Sequence, residues 1–97
     1  MRWIAAFTDT PAMLQVRAEL AAAHLAYLDR HASEIVLAGG CRHSPESDYM
    51  GGLWVLEVAD RARAVQLVEQ DPYFLSAARR YELRTWGKAF PERLVTL

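Results

Sequence analysis

The chain has 97 residues, 53% of them hydrophobic and 24% charged, with a formal net charge of −1. This length predicts one domain spanning residues 1–97, and the composition is that of a folded chain rather than a disordered one. Its basic residues form no run, which excludes the phosphate-neutralising patch of a nucleic-acid binder, and no apolar stretch approaches the ~20 residues of a membrane helix.

Residues 2–8 alternate Trp3, Ala5 and Phe7 with Arg2, Ile4, Ala6 and Thr8, which predicts a first strand. The apolar run around it is too short for a signal peptide and is interrupted by Asp9. The single Cys41 has no internal disulfide partner, which fits the cytoplasm as the expected location. Asp9-Thr10-Pro11 resembles a helix start, with Asp9 or Thr10 as cap and Pro11 in the first turn. Residues 12–31, rich in Ala and Leu, form the clearest helix. A stripe of Leu14, Ala18, Ala21, Leu25 and Leu28 is expected to pack on a sheet. Arg17 and His24 lie seven residues apart near the edge of that stripe, about 10 Å along the axis.

Residues 34–38 read as a second strand closed by Gly39-Gly40. The polar segment 41–49 is a loop long enough to be functional or mobile. Residues 50–58 read as a third strand, Asp60 as the N-cap of a helix over 61–70, and 72–78 as a turn or short helix. A fourth strand spans 81–86, with Tyr81, Leu83 and Thr85 on one face, and a weakly patterned tail runs from Gly87 to Leu97. The order β-α-β-β-α-β predicts an α+β, ferredoxin-like fold, an antiparallel sheet with its helices on one face. Strands one and three carry apolar residues on both sides, including a tryptophan each. A second sheet face of that kind is rarely left open, so a homodimer through the sheet face is expected.

The residues that can carry chemistry are few. His24 has the side chain whose ordinary pKa suits proton transfer near neutrality, although a helix-edge histidine needs no role. Asp71 is stiffened by Pro72, which biases it away from the α region, and Tyr73 and Phe74 can wall a pocket beside it. An Asp before Pro is equally what a helix cap looks like. Arg17 can clamp a ligand carboxylate or simply pair with an acid such as Glu34. Gly40, with Gly39, can let a ligand approach the backbone or merely turn the chain. There is no GxGxxG, P-loop or nucleophile elbow, so no cofactor is expected. Cys41, His43 and Asp48 match no zinc spacing, so no metal is expected either.

The chain resembles the YCII-related (YciI-like) family, small ferredoxin-like proteins of the dimeric α+β barrel superfamily that includes muconolactone isomerase. The resemblance covers about residues 2–88. It rests on Ala23-His24-Leu25-Ala26-Tyr27-Leu28, Ala38-Gly39-Gly40, Gly51-Gly52-Leu53 and Asp71-Pro72-Tyr73. It implies that His24 and Asp71 share a cleft as an acid–base pair, with one branch of the family removing chloride from chlorinated hydroxyhydroquinones. Two departures stand out. Gly39-Gly40 replaces a common Gly-Pro, and Ala21 stands where many members carry Arg, a charge that Arg17 could replace. The expected function is therefore cofactor-free isomerase, lyase or dehydrochlorinase chemistry on a small cyclic or aromatic compound. In it His24 moves the proton, Asp71 orients it, and Arg17, Gly40 and Tyr73 bind substrate. The rivals are a non-catalytic small-metabolite-binding or accessory protein, and a haem- or oxygen-using monooxygenase like some relatives in the superfamily.

Overall fold

The computed structural model describes residues 1–96. Its elements run β1 (Arg2–Asp9), α1 (Met13–Arg30), β2 (Ile35–Cys41), β3 (Gly51–Glu57), α2 (Arg61–Glu69), α3 (Pro72–Leu75) and β4 (Arg79–Thr85). The strands form one sheet in the order β2-β3-β1-β4, each neighbouring pair antiparallel. This is the ferredoxin-like plan read from the element order.

Alternation along the strands sends Ala5, Phe7, Ile35, Trp54 and Leu56 into one core with Tyr27 of α1 and Ala64, Leu67 and Val68 of α2. Asp60 caps α2 as expected, its carboxylate accepting from Arg63 N–H at 2.9 Å. A second cluster joins Met13 of α1, Tyr73 of α3 and Ala78, with Val16 and Leu20 against it. Helix α1 thus spans both clusters.

The buried stripe of α1 is not the one its leucines suggest. Met13, His24 and Tyr27 are buried and Leu20 is half-buried, whereas Leu14 and Leu25 are 47% and 62% exposed. The true stripe is rotated by one residue, roughly 100° around the axis. An Ala-rich helix is mildly apolar all round, so hydrophobic content alone did not select its face. Aromatic bulk and hydrogen bonding did: the Tyr27 hydroxyl donates to the Leu67 carbonyl at 2.6 Å.

The start of α1 also differs. Its N-cap position is Ala12, without a side-chain cap, because Asp9 and Thr10 are engaged elsewhere. Asp9 pairs with Arg17, and the Thr10 hydroxyl donates to the Ala78 carbonyl at 2.6 Å. Gly39 and Gly40 lie inside β2 rather than ending it, paired with Leu53 and Gly52. Trp3 and Trp54 both face the helices, so neither is on the outer face. That face is nonetheless apolar on β1, β2 and β3, while β4 lines it with Arg80, Glu82 and Arg84. Ile4, Ala6, Leu37, Leu53 and Val55 alternate out of the core across three strands, flanked by the Arg2–Glu57 ion pair at 2.6 Å. Among the described residues no helix is long and apolar enough to cross a membrane.

Candidate active site

The site begins at the exit of α2. Pro72 holds Asp71 in extended backbone, φ −67° and ψ 133°, at the N-cap position of α3. The carboxylate does not cap that helix, contrary to the capping role expected for it. Asp71 is fully buried, and a buried carboxylate needs charged or donating partners. It has one on each oxygen. Oδ1 meets His24 Nδ1 at 2.7 Å, and Oδ2 accepts from the Arg79 guanidinium at 3.0 Å.

Arg79 reaches Asp71 through a tight turn between α3 and β4. The Ser76 hydroxyl donates to the Tyr73 carbonyl at 2.6 Å and accepts from Ala78 N–H. Ala77 takes a left-handed conformation, φ 60°, to close the loop. The guanidinium then lies over the Phe7 ring, 3.9 Å from its centroid, and 5.3 Å from that of Tyr73. Burial pushes its pKa down from the ordinary arginine value, while Asp71 and Asp9 push it back up.

His24 sits where the two core clusters meet. Its ring stacks on Tyr73 with centroids 3.8 Å apart and lies 6.4 Å from Trp54. A carboxylate already held by Arg79 can only accept, so the Nδ1–H of His24 donates to it and Nε2 is the nitrogen left facing outward. Among the described residues Nε2 has no hydrogen-bond partner, and it is not among the sealed polar atoms. The ring thus presents Nε2 without a partner, oriented through its other nitrogen by a carboxylate.

Arg17 is close by but already engaged. One of its nitrogens donates to Asp9 Oδ2 at 2.9 Å and to the Gly51 carbonyl at 3.0 Å. Its guanidinium lies 5.4 Å from the Tyr73 centroid and 4.7 Å from that of Tyr49. Arg42 approaches the same Tyr49 ring at 4.8 Å. Gly40 is the seat of that ring, since a Cβ there would stand 2.6 Å from it. Burial raises the Tyr73 phenol above its ordinary value, with Arg17 opposing.

Of the residues singled out in the sequence, His24, Asp71 and Tyr73 are in direct contact, Arg17 borders Tyr73, and Gly40 is one ring further away through Tyr49. Cys41 is exposed, paired with Gly51 at the end of β2. The guanidinium that serves Asp71 is Arg79, not Arg17. Periodicity held the clue: Arg79 shares the alternation of Tyr81 and Leu83, just as Asp9 shares that of Ala5 and Phe7. A separate groove of about 540 Å³ runs between Arg2 and the tail residues Trp86 and Leu94, and includes none of these side chains.

Among curated proteins none matches the chain. Among solved structures it is similar to the 5-chloro-2-hydroxyhydroquinone dehydrochlorinase of Burkholderia phenoliruptrix AC1100 in complex with 2,5-dihydroxybenzoquinone. The two are 26% identical with a TM-score of 0.79, over 89% of this chain and 93% of that one. The family model of the YCII-related domain matches residues 1–87. With the whole sheet and all the helices inside that match, the chain belongs to the YCII-related family.

Proposed function

We propose that this protein is a cofactor-independent enzyme that moves protons on a small hydroxylated ring compound, with His24 as the acid–base group and Asp71 as its orienting partner. The observation that carries the reading is the 2.7 Å contact between His24 Nδ1 and a fully buried Asp71, which leaves Nε2 unpartnered. A base within reach of a substrate hydroxyl, tethered through its other nitrogen, is the arrangement that general acid–base catalysis uses.

The similarity to a dehydrochlorinase suggests the first substrate to try. Loss of HCl from 5-chloro-2-hydroxyhydroquinone gives 2-hydroxy-1,4-benzoquinone without an external oxidant. In the proposed course Nε2 takes a ring hydroxyl proton and returns a proton to the chlorine-bearing carbon. Nε2, free again, then takes the proton of a second hydroxyl, whose electrons form the second carbonyl and expel chloride with the C–Cl bonding pair. Tyr73 and the Arg17–Tyr49 layer would hold the ring by stacking.

The test is chloride release and quinone absorbance with purified protein and 5-chloro-2-hydroxyhydroquinone. Turnover that is lost in His24→Asn supports the reading, and turnover unchanged in that variant removes His24 from it. Saturable binding of 2,5-dihydroxybenzoquinone with no turnover of any chlorinated hydroquinone favours a metabolite-binding protein instead.

The reading includes a cytoplasmic homodimer. The outer sheet face exposes Leu37 and Leu53 at 45% and 41% beside the half-buried Ile4 and Ala6, an apolar strip suited to a second copy. Sedimentation equilibrium should return twice the chain mass, and a monomer at all concentrations would refute the dimer.

A further inference from the structure

We propose that Arg79 is a positioning residue for His24: by occupying Asp71 Oδ2 it fixes the imidazole proton on Nδ1, and by sharing the carboxylate charge it keeps the ring neutral and Nε2 bare. The consequence for catalysis rests on the function proposed above. The placement of the Nδ1 proton does not, because it is argued from the geometry of three buried side chains.

A histidine paired with a lone buried carboxylate tends to be held as imidazolium, because the whole negative charge faces the ring. Here the charge is divided. Oδ1 faces His24 at 2.7 Å and Oδ2 faces Arg79 at 3.0 Å, with the Arg79 and Asp71 side chains 2% and 0% exposed. The ring is therefore under less demand to keep a second proton and can accept one from a ligand. The carboxylate also cannot turn, since both oxygens are spoken for.

Arg79 is itself fixed. Its guanidinium rests on Phe7 at 3.9 Å, its Nε is sealed without a partner, and the Ser76–Ala78 turn sets its distance from Asp71. The Thr10 backbone N–H and hydroxyl both donate to the Ala78 carbonyl, which ties this turn to the end of β1. Other charged and titratable groups stand around the pair. Tyr73 of α3 stacks on His24, and Asp9 of β1 and Arg17 of α1 act on Arg79. Tyr27 of α1 feels Asp71 and, from α2, Arg63, while Trp54 of β3 lies beside the His24 ring and carries no charge. Asp9 is neutralised by Arg17 at 2.9 Å, so the net charge next to His24 is set by Asp71 and Arg79.

The test is a pH titration of ¹⁵N-histidine-labelled protein, followed by two-bond ¹H–¹⁵N correlation of the imidazole rings, with His24 assigned from its missing signals in His24→Asn. The wild-type ring should carry its proton on Nδ1 at neutral pH. Arg79→Gln keeps a donor toward Oδ2 without the charge, and Arg79→Lys keeps a charge without the fork. In Arg79→Gln the proton affinity of His24 should rise about tenfold or more, one pH unit in its midpoint, with the Nδ1–H tautomer retained. In Arg79→Lys the midpoint should stay near wild type. A wild-type ring protonated on Nε2, or an unchanged midpoint in folded Arg79→Gln, overturns the proposal. If Arg79→Gln does not fold, a wild-type ring protonated on Nε2 or an Arg79→Lys midpoint raised by a full unit overturns the proposal. Absence of turnover on any substrate would count against the proposed reaction while leaving these signals unaffected.

Discussion

Tyr73 lies flat on His24, with ring centroids 3.8 Å apart and planes inclined by 10°. Asp71 tethers one edge of the imidazole, and the stacked ring stops it from tilting about that tether. Rotation of Nε2 by even about 1 Å can cost on the order of 100-fold in rate, because the reacting atoms leave the near-attack range. Tyr73→Phe keeps the stack and should retain kcat within about threefold, whereas Tyr73→Ala should lose on the order of 100-fold. Tyr73→Ala should also lower stability by about 3–5 kcal/mol, the usual cost of deleting a buried aromatic ring. Equal losses of kcat in the two variants would mean that the hydroxyl, not the stack, matters.

His24 and Asp71 should separate in their effects on stability. Removing His24 leaves Asp71 still held by Arg79, so His24→Ala should cost only about 1–2 kcal/mol, the loss of one buried hydrogen bond and some packing. Removing the carboxylate with Asp71→Ala strands the Arg79 guanidinium, whose side chain is 2% exposed, without its partner. Breaking a buried pair from one side typically costs about 3–5 kcal/mol. Chemical denaturation of the two variants checks the order. An Asp71→Ala protein as stable as His24→Ala would show that Arg79 finds water or another acceptor.

Much of the fold was legible because strand alternation and helix boundaries are local signals. Four strands and two long helices in the order β-α-β-β-α-β left few topologies open. The buried face of α1 was less legible, since Leu14 and Leu25 look like core residues and are not. What turns α1 inward is His24 and Tyr27 with their hydrogen bonds, which hydrophobic counting treats as neutral. The pairing of His24 with Asp71 followed from family resemblance, because residues 47 positions apart leave no local trace of a contact. Arg79 was missed for a plainer reason: the fourth strand starts two residues earlier than its apolar alternation suggests. A charged residue at the head of a strand reads as solvent-facing until a buried carboxylate eight residues upstream is known to need it.

Two glycines should behave in opposite ways. A Cβ on Gly40 meets first the side chain of Tyr49, which is 40% exposed and can swing out. Gly40→Ala should therefore cost little stability, below about 1 kcal/mol, while displacing Tyr49 from Arg17 and Arg42 and raising KM for a ring-shaped ligand. A Cβ on Gly51 meets the Phe7 carbonyl oxygen in the paired strand β1, a backbone atom that cannot move aside alone. Gly51→Ala should cost about 3 kcal/mol or more through distortion of the β1–β3 ladder. Thermal melts measure the first contrast, and ligand saturation curves measure the Tyr49 effect.

Tyr81 predicts how stability falls at alkaline pH. Burial, and then the hydrogen bond its hydroxyl donates to Glu69 at 2.7 Å, push its pKa up from 10.0 to about 12. A raised folded-state value means that the folded chain holds this proton more tightly than the unfolded one. The contribution is fully present below the ordinary value of 10 and is lost as pH rises through about 12. Tyr27 and Tyr73, raised chiefly by burial, shift the same way and are common to wild type and variant. Tyr81→Phe should be less stable than wild type at pH 7 by up to about 1 kcal/mol, since the bond lost is exposed. Between about pH 10 and 12 the wild-type curve should fall more steeply and the two should converge. Urea midpoints across that range provide the measurement, and a constant gap between the two proteins would rule out the coupling of Tyr81 ionisation to folding.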